Sequence, residues 1–303
     1  MDQANLIGAT QCAGRDMAMW VGIAVCTMSF ARSAMGAEDV EPWTPLGISS
    51  DLYESHGAFD PKTGDFYFVR SSKTFSGWRI VRTHCTAGRW EDPKDAPFAG
   101  TGAEADPYFT PDGKSVYFIS TRATGSQRSK DLDIWQADRA SDGNWLAPMR
   151  LPPPVNSDEA EWFPRPSVDG WLYFGSNRPG GVGKNDIWRG REVKPGEWRV
   201  ENLGPRINTP GDEYEPLPSP DGRRLIVAAA DGLYISKSVH GRWTARRKLG
   251  PAVNVNGTEL GALFSPSGRS LLFARDTGEP KSGEFFVWHL RGHEKWPPQC
   301  GAP

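Results

Sequence analysis

The stretch Asp106–Ser120 reads DPYFTPDGKSVYFIS, and Trp162–Ser176 reads WFPRPSVDGWLYFGS. Each places a proline and an Asp-Gly pair before an alternating aromatic strand. Asp-Gly after proline is turn chemistry, because glycine accepts positive φ and aspartate bonds the local backbone. The strand that follows alternates apolar and small residues, the pattern of a sheet whose faces pack against other sheets.

Working outward, the same phrase recurs at five glycines, Gly64, Gly113, Gly170, Gly222 and Gly268, spaced 49, 57, 52 and 46 residues apart. That period is a blade-sized repeat. Nine residues before the glycine stands an acid in four copies, Glu104, Glu161, Glu213 and Glu259. After the turn come DFYFVR, KSVYFIS, GWLYFGS, RRLIVAA and RSLLFAR, then a further strand such as DLDIWQA or NDIWRG, then a lone tryptophan (Trp90, Trp145, Trp198, Trp243, Trp296). The expected fold is all-β, a β-propeller of four-stranded antiparallel blades that hide their faces by stacking on one another. Five blades are expected, with six as the alternative.

The combination of glutamate, Pro-Asp-Gly, aromatic strand, Ser-x-Arg and Asp-Ile-Trp resembles the WD40-like propeller repeat of the TolB family, over about residues 41 to 296. It is most specific in the second and third copies. The resemblance implies an exported bacterial propeller that binds partner proteins of the cell envelope. TolB itself carries an extra α/β domain ahead of its propeller, and here only a few residues separate a leader-like segment from the first repeat.

That segment is MAMWVGIAVCTMSFA, Met17–Ala31, an apolar run of signal-peptide length with Arg15 before it and small residues near Gly36 and Ala37. Residues 1–37 are expected to be a signal peptide and 38–303 a single propeller domain, periplasmic or secreted, with no membrane span after cleavage. Met17 is an alternative start. A lipoprotein reading at Cys26 is disfavoured by Val25 where a small residue is needed. Cleavage leaves Cys85 and Cys300, a disulfide candidate in an oxidising compartment. To close the ring, Trp43 is expected to supply the outermost strand of the blade built from residues 259 to 290. That closure sets the first module beside the fifth and makes the cysteine bridge a second clasp.

A formal net charge of -2 with 24% charged residues and no basic cluster beyond Ala245–Gly250 argues against a nucleic-acid groove. Two modules share an Arg and an Asp across a hairpin, Arg122 with Asp133 and Arg178 with Asp186, read as structural clamps, with Arg275 and Glu284 in the same style. Glu104, Glu161, Glu213 and Glu259 form either a ring at the channel mouth that binds a basic partner or one cap per blade. His56 lies where the first module departs from its own pattern, the place a site would be grafted.

No G-x-S-x-G elbow occurs, HLRGH at His289 and His293 has no third ligand nearby, and the glycine-rich Asn177–Asp186 stretch lacks a P-loop ending. A lone DxD at Asp131 and Asp133 offers too few oxygens for calcium. No metal, cofactor or catalytic residue is assigned. The expected function is a monomeric, non-catalytic protein-binding or scaffold module for an envelope protein or peptide. The alternative is a propeller enzyme or sensor that binds a glycan or other small ligand at the channel mouth, with or without a metal.

Overall fold

The computed structural model describes residues 40–123, 131–278, 282–290, 292 and 294–300. The leader-like segment, Cys26, Met17 and His293 lie outside them. The described chain is all strand and turn, arranged as one two-stranded hairpin, Cys85–Thr86 with Arg89–Trp90, and five small antiparallel blade sheets. Their innermost strands are Tyr53–Phe59, Glu104–Phe109, Glu161–Pro166, Glu213–Pro218 and Leu260–Phe264. Each touches the innermost strand of the next blade, and the fifth touches the first, so the ring is closed with five blades.

Alternation along the second strand of each blade explains why the ring holds. In Ser115–Ser120, Val116 and Phe118 pack toward the first blade, while Ile119 packs toward the third. In Ser270–Asp276, Leu271 and Phe273 face the fourth blade, and Leu272 and Ala274 face the first. The core is therefore five inter-blade layers rather than one central mass, each built where two sheets meet face to face.

Closure is as expected. Val40–Pro42 pairs antiparallel with Gly283–His289 as the outer strand of the fifth blade. Trp43 follows at once, its N–H donating to the Phe285 carbonyl at 2.8 Å and its ring packed edge-on against Phe66 and Phe285. Cys85 and Cys300 are bridged, with Cα atoms 5.4 Å apart, so the last residues are bound to the first blade. A disulfide of this kind belongs with an oxidising compartment.

The lone tryptophans do not mark one equivalent strand. Trp198 lies in a full outer strand, Glu197–Asn202, whereas Trp90 and Trp243 sit in two-residue hairpin arms ahead of short edges at Lys94–Asp95 and Arg247–Lys248. Trp145 makes only an isolated bridge to Arg139.

Candidate functional site

Each inner strand has a glutamate at or beside its start, at one mouth of the channel, and leads at the other into the glycine turn, Asp-Gly in the middle three blades and Thr-Gly or Ser-Gly in the first and fifth. Glu104, Glu161, Glu213 and Glu259 are at most 1% exposed, so the structure offers no open acidic ring. Each carboxylate accepts the backbone N–H four residues earlier, from Gly100 (2.8 Å), Ser157 (2.9 Å), Thr209 (2.7 Å) and Val255 (2.8 Å). Each also takes an arginine: Arg122, Arg178, Arg246 and Arg275 respectively. The acids cap the link that enters their own blade.

The proposed Arg–Asp clamps are thereby corrected. Arg122 and Arg178 bend inward to Glu104 and Glu161 rather than outward, because their guanidinium groups lie over the Phe118 and Phe174 rings and reach the Phe98 and Val155 carbonyls of the linker. Asp133 bonds Arg150 at 2.6 Å. Asp186 closes the glycine-rich loop by accepting the Gly183 N–H at 2.9 Å and that of Val182. Arg275 likewise turns to Glu259, while Glu284 accepts from Ser49 Oγ at 2.6 Å.

A fifth member completes the set. Glu54 is fully buried, paired with Arg70 at 2.9 Å and capped by the Ser50 N–H. It escapes a glycine-anchored alignment because Gly64 bonds back four residues to Asp60, where Gly113 bonds back three to Thr110. The loop keeps its length while its glycine slides by one place. The first module does not depart from the repeat at its acid.

The departure lies two residues further on. Every inner strand has a β-bulge just after its glutamate, and a bulge re-aims a side chain. The re-aimed positions are His56, Asp106, Phe163, Glu215 and Gly261. Four of them hold positive φ, between 50° and 64°, a strained backbone for the three with side chains. They meet at the centre of the ring. His56 Nε2 lies 3.1 Å from Glu215 Oε1 and 3.6 Å from Asp106 Oδ1, and its Nδ1 is 2.8 Å from Ser55 Oγ. The imidazole stacks on Phe163 at 5.3 Å. Glu215 Oε2 accepts the Gly261 N–H at 2.6 Å, and Asp106 Oδ2 accepts the Phe163 N–H at 3.2 Å.

Burial drives His56 down, but the Asp106 and Glu215 carboxylates outweigh it and hold the imidazole above its ordinary value. Burial pushes Asp106 up to about 6, against the pull of His56 and Arg165. Of the binding candidates read from the sequence, His56 alone stands at the axis. Asp106, Glu215 and Arg165 were not singled out. Their signal is that the column two to four residues after the glutamate changes chemistry from copy to copy while its neighbours repeat.

Over this cluster, at the mouth carrying the linkers, half-buried aromatic rings gather. Phe75 and Phe163 flank His56, and with Trp78 and Trp162 they line a small apolar cleft beside it. Tyr214 adjoins Phe163, and Tyr53 packs edge-on against Phe75. Leu52, Val182 and Val255, on loops of the same end, are 41%, 41% and 62% exposed.

No protein-family model and no curated protein matches this sequence. Solved structures do. TolB from Acinetobacter baumannii is 20% identical, with 82% of this chain and 57% of that chain covered and a TM-score of 0.46. The chain thus spans little more than half of that TolB. The α-L-arabinofuranosidase PaAbf62A from Podospora anserina is 14% identical over 83% of this chain and 95% of that one, with a TM-score of 0.51. Zg3597, a family 117 glycoside hydrolase from Zobellia galactanivorans, is 13% identical over 85% and 92%, with a TM-score of 0.50. The chain is a β-propeller. At these identities the likeness extends to the fold alone.

Proposed function

We propose that this protein is an exported, TolB-like propeller that acts without catalysis as a binding or scaffold module, holding an envelope protein or peptide on the linker-side face of its ring. The supporting observation is the distribution of side chains between interior and face. The repeated acids are spent on internal caps, while Leu52, Val182 and Val255 stand exposed around an aromatic mouth at one end. Loops on a rigid scaffold carry recognition, and aromatic residues amid exposed apolar ones are the composition of a contact core. Leu52→Asp with Val255→Asp is expected to leave the melting temperature within a few degrees and to abolish capture of partners from envelope extract. Undiminished capture by the double variant would remove this face from consideration.

A second reading, a glycan-binding or glycan-acting propeller, is favoured by the buried Asp106 with its raised pKa beneath the same aromatic rim. Oligosaccharide titration into the purified protein separates the two. Saturable sugar binding that is lost in Trp162→Ala favours the second.

A further inference from the structure

Between Asp231 and Glu259 the chain carries Lys237, Arg242, Arg246, Arg247 and Lys248 and no acid, although acids outnumber Lys and Arg over the whole sequence, 37 to 35. The register of the fourth blade sorts these cations between its two faces. Arg246 stacks over Tyr234 and holds Glu213, and Lys248, directly opposite Tyr234, holds Asp231 at 2.7 Å. Trp243 turns the same way, edge-on to Tyr173 of the third blade.

The other three cations belong to the face turned toward the fifth blade. Lys237 alternates with Ile235 and Val239 along Gly232–Val239, Arg247 stands opposite Ile235, and Arg242 stands opposite Val239. Residues directly opposite share a face of a sheet, as do residues two apart in a strand. Ile235 packs against the core shared with the fifth blade, which fixes which face this is. Lys237, Arg242 and Arg247 are all exposed, and Val239 between them is 50% exposed. Among the described residues no carboxylate oxygen lies within 4.0 Å of any of the three.

Two features distinguish this face from a solvated edge. Arg224 and Lys237 stand directly opposite each other, and like charges in that relation destabilise a sheet. Arg224 is held there by the Phe264 ring, 5.1 Å away, and by the Gly268 carbonyl, to which it donates at 2.7 Å. The second feature is spacing. The levels of Ile235, Lys237 and Val239 are two residues apart, roughly 6–7 Å, which is also the step between alternate side chains of any extended chain. Arg247, Lys237 and Arg242 therefore step as the carboxylates do in an extended peptide with an acid at every second residue. A nucleic-acid strand is matched less well, because its binding rests on many phosphate contacts and on bases stacked over aromatic rings. Tyr234 and Trp243 face the other way.

We infer that this face of the fourth blade binds an acidic protein segment in extended conformation, its alternate carboxylates on Arg247, Lys237 and Arg242 and its backbone over Ile235 and Val239. The surface lies on the body of a blade, apart from the linker-side mouth, and does not depend on the partner-binding face there.

Fluorescence anisotropy of the full chain with a labelled twelve-residue peptide of alternating Glu and Thr tests it. Saturable binding is expected that weakens as salt rises, with a peptide of the same composition but contiguous glutamates several-fold weaker. Lys237→Gln with Arg247→Gln should weaken the alternating peptide by about tenfold or more. Lys62→Gln with Lys94→Gln, an equal loss of charge at exposed positions on the first blade, should leave it unchanged, as should Leu52→Asp with Val255→Asp. Lys237→Glu should melt no lower than the parent, since it faces Arg224, yet bind about tenfold or more weaker. The proposal is overturned by an alternating peptide that does not saturate at low salt, by equal losses in the two glutamine pairs, by a Lys237→Glu protein that binds as the parent does, or by tighter binding of a twelve-nucleotide oligothymidylate.

Discussion

At Gly261 a methyl group has nowhere to go. A Cβ there would stand 2.6 Å from the His56 backbone nitrogen, and the residue holds φ at 64°. Both facts come from the bulge that turns its N–H onto Glu215. Gly261→Ala is expected to destabilise the fold by about 2–4 kcal/mol through strain and clash together, read from the denaturant midpoint. The titrating groups beside it set the pH response. Asp106 has a folded value of about 6, above the ordinary ~3.9 of an aspartate, so the folded state binds the proton first. Its contribution is present on the acid side and is lost as pH rises through about 6. His56, also raised, contributes below its ordinary value and loses that contribution as pH climbs through its higher folded one. Both act in the same direction. The melting temperature should fall between pH 5.5 and 8.5, and Asp106→Asn should remove the part of the fall below about pH 6.5. A flat wild-type profile over that range would contradict the placement of these groups.

At the scale of the element, the link between blades is the unit that repeats most faithfully. Asn156, Asn208 and Asn254 clip it to the third strand of the blade it leaves: Oδ1 accepts the N–H of Ile134, Ile187 and Leu233, and Nδ2 returns a bond to the same residue's carbonyl. The Glu–Arg cap then fixes the link to the blade it enters. Asn208→Ala leaves the buried Ile187 N–H without a partner, while the Ile187 carbonyl keeps the Leu203 N–H at 3.1 Å, and should cost about 1–3 kcal/mol. Glu161→Ala strands the Arg178 guanidinium and should cost about 3–5 kcal/mol. Chemical denaturation measures both. Neither substitution should alter partner capture, because neither side chain reaches the face.

At the scale of the whole molecule, two devices close the ring: the Val40–Pro42 strand on the fifth blade and the Cys85–Cys300 bridge. The bridge spans a sequence separation of 215 residues, and its removal by paired serine substitution should cost about 2–5 kcal/mol. The expected outcome is a lower melting temperature with the same circular-dichroism spectrum. An unchanged melting temperature would mean that the strand alone suffices.

The repeat was legible because every copy solves the same local problem, a tight turn followed by a strand with two buried faces, and local problems leave periodic residues. DPYFTPDGKSVYFIS by itself determined the turn, the alternating strand and the size of the blade, and five such copies determined the ring. The opening residue of that stretch, Asp106, is one the repeat does not explain. Its meeting with His56 and Glu215 depends on three bulges in three blades, at positions 50 and 109 residues away in the chain. No local pattern encodes a point on a symmetry axis. The direction of the arginines was decided the same way. The sequence placed an aspartate and a glutamate within reach of Arg122, and only the tertiary structure, by laying its guanidinium over Phe118 beside the entering link, made the glutamate the partner.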